Sequence, residues 1–304
     1  MIVSLGDAVV DLVAVGLDSL PQWGEDREAS SIETQLGGSA LHVATNLAAL
    51  GNEVGLLAGV GRDQWGRFLV QGARDAGVLV SGVKELDVPT AVTMVLSGRD
   101  DRAFVSTYGA TAAYSRDDLD REVLERAAHL HVTGIWQSRT LQPHLVDLLR
   151  TLRTRGVTVS LDTQYDPESR WAGPLLDLLE VVDLFLPHEV EATGISGKER
   201  PEEALAWLGE HVPLVAMKRG AAGAMVQHGE ELYVMGAFAV QVVDTTGAGD
   251  AFAAGFLHGW LQGWPIERTL RFANATGALA VTRVGASEDP PTEEEVMDFI
   301  EQQR

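Results

Sequence analysis

The chain of 304 residues has no cysteine, which excludes disulfides and thiolate metal sites without fixing a compartment. Positive charge is scarce: Lys plus Arg number 23 against 44 Asp plus Glu, a net charge of −21. That deficit argues against a nucleic-acid partner or an anionic membrane surface, since both call for a basic patch. It leaves room for a nucleotide substrate, which needs only a few amides, a lysine and a divalent cation. No apolar run reaches the length of a membrane span. The start, Met1-Ile2-Val3-Ser4-Leu5-Gly6-Asp7, has no basic segment and meets an acid at once. It does not read as a secretory leader, and a cytoplasmic location is expected. Two phosphate-binding signatures are also missing. Gly194-Ile195-Ser196-Gly197-Lys198-Glu199 has the wrong spacing for a Gly-x-x-x-x-Gly-Lys loop, and no Gly-x-Gly-x-x-Gly follows the first strand.

What is present is an alternation of strand-like and helix-like segments. Strands are expected at Ile2–Leu5, Ala8–Val15, Val54–Val60, Leu130–Thr133, Val157–Leu161, Asp183–Leu186 and Leu214–Met217. Helices are expected at Ser39–Leu50, Gln64–Ala76, Asp117–Ala127, Gln142–Arg155, Ala172–Leu179, Glu202–Glu210, Ala248–Gln262, Ile266–Val281 and Glu293–Gln302. Such repetition predicts an α/β fold with a mostly parallel sheet covered by helices on both faces. Two hairpins interrupt it, Ala224–Gln227 with Glu231–Met235, and Thr90–Leu96 with Ala103–Tyr108 around the polar turn at Ser97–Arg102. Residues 16–35 are polar, with no helical period. The second hairpin and the stretch after Val9 are read as a small inserted β lid, about 9–34 and 89–109, on a single domain of 1–304. His129-Leu130-His131 puts two imidazoles on one strand face, but no third metal ligand is in sight.

The chemistry is expected at Asp244-Thr245-Thr246-Gly247-Ala248-Gly249-Asp250, where a strand-like run, Phe238–Val243, meets a helix. Small residues at such a junction leave backbone N–H groups free to meet an anion. A carboxylate in the first helical turn is favoured by the helix dipole and well placed as a base. Gly247, Ala248 and Gly249 are therefore read as the donors for a transferring phosphoryl group, and Asp250 as the base for an acceptor hydroxyl.

This stretch, continued through Ala251-Phe252-Ala253-Ala254-Gly255-Phe256-Leu257, resembles the C-terminal signature of the ribokinase-like (PfkB) carbohydrate kinases at every position. Three further pieces resemble that family in the same order. Gly6-Asp7-Ala8-Val9-Val10-Asp11 looks like its N-terminal strand, which makes Asp11 the carried-over sugar ligand, while Asp7 reads as a turn residue. Gly37-Gly38-Ser39-Ala40-Leu41-His42 looks like its glycine pair, with His42 where the family usually has Asn. Leu186-Pro187-His188-Glu189-Val190-Glu191 looks like its Asn-x-x-Glu motif, with His188 replacing Asn and Glu191 implied to hold Mg²⁺ through water.

The resemblance implies a ribokinase-like fold, ATP and Mg²⁺, and a sugar acceptor. It places Gly37, Gly38, Ser39, His42, Trp136, Gln137 and Asp162 beside Asp11 at the sugar. It places Lys218, Gly220, Gly223, Thr246 and Asn274 near the nucleotide. It further implies a monovalent cation such as K⁺ at Asp244 and Thr246, with carbonyls from the Val281–Gly285 region, Arg283 and Gly285 among them. Asp166 stands where kinases of keto-acid sugars carry an Arg, which favours a neutral, ribose- or fructose-like sugar. The alternatives are a nucleoside kinase and a sugar-binding regulatory protein with impaired catalysis. A homodimer paired through the lid is also expected.

Overall fold

The computed structural model describes residues 1–98, 102–166, 168, 171, 175–283, 285 and 289–303. In chain order they form β1 (Ile2–Leu5), β2 (Val9–Leu17), β3 (Ser31–Gly37), α1 (Ser39–Ala49), β4 (Val54–Gly61), α2 (Gln64–Asp75) and β5 (Val83–Leu86). Next come β6 (Ala91–Gly98), β7 (Arg102–Thr107), α3 (Gly109–Ala113), α4 (Arg121–Glu125), β8 (His129–Thr133), α5 (Leu145–Arg153), β9 (Thr158–Asp162) and α6 (Leu175–Leu179). The rest is β10 (Leu184–Phe185), α7 (Glu189–Ser196), α8 (Pro201–Gly209), β11 (Leu214–Lys218), β12 (Ala224–His228), β13 (Glu231–Met235), α9 (Ala248–Leu261), α10 (Ile266–Ala280) and α11 (Glu293–Gln302).

The large sheet runs β13-β12-β11-β10-β9-β8-β1-β4-β5. Strands β5 to β11 in that order are parallel, and β12 and β13 close one edge as an antiparallel hairpin. Alternate side chains of each strand enter two separate cores. Leu56, Ala58, Leu214 and Ala216 pack with Leu47, Leu69, Phe256, Phe272 and Val296, which come from α1, α2, α9, α10 and α11. Leu57, Val132, Leu161 and Val215 pack with Leu124, Leu149, Leu178 and Leu205, from α4, α5, α6 and α8. Burial on both faces accounts for the continuous apolar runs of the strands, β4 being buried at every position.

A second sheet, β3-β2-β6-β7, stands beside the first. Its strands β2 and β6 are parallel, while β2–β3 and β6–β7 are antiparallel. This is the small sheet expected from the hairpin, with β3 as a strand that sequence period does not reveal. Its outer residues, Ser31 to Thr34, are mostly exposed and its inner ones, Gln35 to Gly37, are buried, so no alternation marks it. Arg99, Asp100 and Asp101 of the expected turn lie outside the described residues.

Several expectations need correction. The helix expected over Asp117–Ala127 is a 3-10 turn, Arg116–Asp118, followed by the short α4, because Ser115 and Asp120 each cap a new start. The helix expected from Ala172 is seen from Leu175, with 172–174 outside the described residues. Phe238–Val243 does not join a sheet. Val242 and Val243 are more than half exposed, and the amides of Val243 and Asp244 donate instead to the Val281 carbonyl (2.8 and 3.2 Å). Ser39 begins α1 without capping it; Gly38 is the cap residue, and Asp7 Oδ1 accepts the Ala40 amide at 3.1 Å.

Helix α9, which carries the signature, is held by close packing on α10. A Cβ at Gly255 would lie 2.6 Å from Thr276 Oγ1 and 3.0 Å from the Ala273 Cα. Gly255→Val is expected to lower unfolding stability by about 1–3 kcal/mol through overpacking, more than helix propensity returns, read from the urea midpoint.

Candidate active site

Parallel strands collect their C-terminal ends along one edge, where loops are free to carry polar groups. Asp7 follows β1, Gly134 follows β8, Asp162 ends β9 and Lys218 ends β11. The N-terminus of α9 faces the same edge. Gly247 adopts φ 67° at the cap, a left-handed conformation that suits glycine, so Ala248 opens the helix and Asp250 falls in its first turn. The Ala248 amide bends back to the Thr245 carbonyl (3.3 Å) and Ala251 N donates to Gly247 O (2.8 Å). The first turn of a helix leaves amides without intrahelical acceptors; of the expected donors Gly247, Ala248 and Gly249, Ala248 already meets the Thr245 carbonyl.

Asp250 is buried, and its carboxylate is held from two sides. His42 Nδ1 lies 3.0 Å from Oδ2, and Gln164 Nε2 donates to Oδ1 at 3.2 Å. The other ring nitrogen of His42 lies 3.0 Å from the Leu36 carbonyl, an acceptor, so Nε2 carries a proton. A neutral ring would then set a bare Nδ1 against a carboxylate oxygen, so the pair carries a second proton between them. Burial works against a charged imidazole, but the hydrogen bond and charge of Asp250, with the charge of Asp11, bring His42 up to about 9. His42 therefore places a cation beside Asp250 and ties that carboxylate to the end of β3.

Gln164 escaped the sequence reading as a site residue. Its backbone is left-handed (φ 59°), costly for a non-glycine residue, and its carbonyl accepts from Trp136 Nε1 at 3.1 Å. Trp136 thus braces the loop that presents Gln164, and its ring packs edge-on to Trp171, 6.3 Å away. Gln137 is half-buried and its Oε1 lacks a partner. The glycine pair serves strand approach. A Cβ on Gly37 would fall 2.6 Å from the Asp11 carboxyl carbon, and one on Gly38 2.6 Å from the Asp7 carbonyl oxygen. Asp11 on β2 and Asp7 beyond β1 can thereby crowd the start of α1. Burial lifts the Asp11 carboxyl to about 6, with His42 opposing the shift and Asp7 adding to it.

On the other side of Asp250 lies a second buried group. Lys218 Nζ hydrogen-bonds Asp162 Oδ2, and a Cβ on Gly249 would sit 3.7 Å from that ammonium. Burial disfavours the charge on Lys218, yet Asp162 and Glu191 outweigh it and keep the ammonium protonated. Burial, aided by the charge of Asp162, pushes Glu191 up to about 7. His188 takes the capping role open to an Asn. Its Nδ1 accepts from Val190 N (3.3 Å), and its own amide donates to Glu191 Oε2 (2.8 Å). Burial and then Lys218 hold His188 below the usual histidine range, which suits an acceptor nitrogen.

Oxygen donors with excess negative charge fit Mg²⁺, which characteristically keeps several waters and leans on substrate phosphates. Among the described residues no three acidic or imidazole groups form a complete protein cage.

The remaining positions are less central. Ser39 begins α1 at the glycine pair. Gly220 and Gly223 flank a 3-10 turn after β11. Asn274 is buried and its Nδ2 donates to the Gly236 carbonyl at 3.3 Å, fastening the hairpin to α10. His129 and His131 both meet Ser160 Oγ at 2.8 Å, a strand-to-strand tie. Asp166 accepts the amides of Glu168 and Trp171 (both 2.9 Å), bracing its loop.

A folded-state value of about 9 means that the chain binds the His42 proton more tightly folded than unfolded. The stabilisation is complete below pH 6.5 and disappears as pH rises through 9. The raised Asp11 and Glu191 carboxyls lose theirs at lower pH, near 6 and 7. His42→Asn should therefore remove the fall in melting temperature specifically between pH 7 and 9, a contribution on the order of 3 kcal/mol at most, with thermal scans as the readout.

The comparisons with known proteins agree along the whole length. The sequence model of the pfkB family carbohydrate kinases matches residues 1–293. A 2-dehydro-3-deoxygluconokinase of Bacillus subtilis is 30% identical over 98% of this chain and 96% of its own. An ATP-dependent ribose-1-phosphate kinase of Halopiger xanaduensis is 32% identical over 95% and 94%. Among solved structures, Arabidopsis thaliana ribokinase complexed with ribose and ATP superposes with a TM-score of 0.86 at 27% identity, covering 98% of both chains. An Escherichia coli chain assigned to ribokinase II, in complex with ATP and Mg²⁺, gives 0.88 at 25% identity over 99% of both. With the glycine-led helix, its buried aspartate and the second sheet beside them, this chain belongs to the PfkB family of carbohydrate kinases and has the ribokinase-like fold.

Proposed function

We propose that this chain is an ATP- and Mg²⁺-dependent kinase that transfers the γ-phosphate to a primary hydroxyl of a neutral sugar. The observation that carries the reading is Asp250, buried in the first turn of α9 beside the amides of that turn and linked through His42 to the charge of Asp11. The acceptor hydroxyl gives its proton to the Asp250 carboxylate as its oxygen attacks phosphorus. The bond from phosphorus to the β-bridging oxygen breaks, and ADP leaves. Amides of Gly247–Gly249 and the Lys218 ammonium meet the charge that spreads over the phosphoryl oxygens. Glu191 would hold Mg²⁺ through water, and the ion supplies charge neutralisation across the phosphates. Asp11 holds sugar hydroxyls, and the small sheet closes over the site to exclude water.

Support for a neutral acceptor comes from Asp166, which braces its own loop where a cation would be needed for a keto-acid sugar. A second reading has one favouring observation. His42 and Gln164 already engage both Asp250 oxygens, as a non-catalytic sugar-binding protein would allow. ADP release against a panel of sugars and nucleosides separates these readings and the nucleoside kinase. Asp250→Asn is expected to lower kcat on the best acceptor by ~10²–10⁴-fold with little change in ATP binding. Normal turnover by that variant would overturn the mechanism.

The small sheet also exposes Ile32, Met94 and Val105 on one face, an apolar surface suited to pairing two copies of the chain through their lids. Val105→Glu should shift the sedimentation coefficient from dimer to monomer. A wild-type chain that sediments as a monomer would contradict the pairing.

A further inference from the structure

The monovalent cation implied by family resemblance meets a specific obstacle. Its expected ligands are Asp244 and Thr246, and both already hold a positive group. Arg102, the first residue of β7 in the small sheet, sends one guanidinium nitrogen to Asp244 Oδ1 (3.1 Å) and to Thr246 Oγ1. Its other terminal nitrogen donates to Thr245 Oγ1. The Thr246 hydroxyl donates a hydrogen bond to Asp244 Oδ1 (2.8 Å), so that oxygen and the hydroxyl are both engaged where a metal ion would bind. Asp244 is further fixed by Thr246 N (2.9 Å) and Gly285 N (3.4 Å). Arg283, the other arginine near this turn, faces away and pairs with Asp289 and Glu295.

We propose that Arg102 is the built-in cation of the Asp244–Thr246 turn, replacing a monovalent metal ion and linking the small sheet to the anion-binding N-terminus of α9. The inference rests on the kinase reading for its consequence in turnover and on geometry alone for the cation. A planar guanidinium suits three oxygens in a row better than a point charge would, because its N–H groups are directed. Thr246 is followed directly by Gly247, so whatever fixes the turn also fixes where the phosphate-binding amides point. The Arg102 side chain is 26% exposed, so the link can open when the small sheet moves. Arg102 is thus a positioning residue that acts on the phosphate through the turn.

The test compares wild type, Arg102→Lys and Arg102→Ala in potassium, sodium and tetramethylammonium chloride at equal ionic strength. Initial ADP release and the melting temperature of the nucleotide-free protein are both read. Wild type should turn over equally in the three salts, within about twofold, and show no potassium-specific rise in melting temperature. Arg102→Ala should lose about 10²-fold in kcat in tetramethylammonium and regain at least about tenfold in potassium, with a potassium-specific rise in melting temperature. Arg102→Lys should lie between them and gain less from potassium. Tenfold activation of wild type by potassium would overturn the proposal. So would an Arg102→Ala protein that behaves as wild type, or one whose loss no cation repairs. If wild type transfers no phosphate to any acceptor, the kinase reading fails, and the melting temperatures alone decide the cation.

Discussion

Burial of like charges at one edge of a parallel sheet governs this molecule. Asp7, Asp162, Glu191 and Asp250 are all buried, and two buried cationic groups, Lys218 and His42, stand against them. Desolvating a carboxylate costs several kcal/mol unless partners compensate. Each acid accordingly has one: Asp7 takes the α1 amide, Asp162 the Lys218 ammonium, Glu191 the His188 amide, and Asp250 the imidazolium and an amide nitrogen of Gln164. The negative excess that remains is the environment in which a divalent cation and a phosphate chain gain most from entering.

The fold supplies that edge from independent pieces. Strands β1, β9 and β11 end on one side because all are parallel members of one sheet, and α9 points its N-terminus at the same place because one core packs it against α1 and α10. The small sheet reaches the edge twice. His42 takes hold of the Leu36 carbonyl at the end of β3 while holding Asp250, and Arg102 at the start of β7 holds the turn before Gly247. Asp250 and the turn before Gly247 are therefore each tied to the small sheet by a cationic side chain.

Most of the architecture was legible because buried parallel strands and amphipathic helices leave strong patterns. Sequence period located α2, α9, α10 and α11 to within a residue or two of their observed ends. It failed where side-chain exposure does not alternate, as in β3, or where successive caps divide a run, as at Ser115 and Asp120. The signature loop was legible as a helix start: Gly247 caps α9 and Asp250 falls in its first turn, as the small residues before an Asp suggest. Gln164 and Arg102 were not. A left-handed backbone at Gln164 has no one-residue signal, and Arg102 meets Asp244 across 142 positions through a pairing that only tertiary structure creates. His42 was visible as a departure from the family pattern, but its charge depends on Leu36 and Asp250 lying on opposite sides of one ring.

The central claim is that Asp250 takes the acceptor proton while the amides of Gly247–Gly249 hold the phosphoryl group. A crystal structure with a non-hydrolysable ATP analogue, Mg²⁺ and the best acceptor from the panel tests it most directly. The account predicts the acceptor's primary hydroxyl within hydrogen-bond reach of an Asp250 oxygen and the γ-phosphate on those amides. A hydroxyl turned away from Asp250, or a γ-phosphate bound elsewhere along the strand ends, would contradict it.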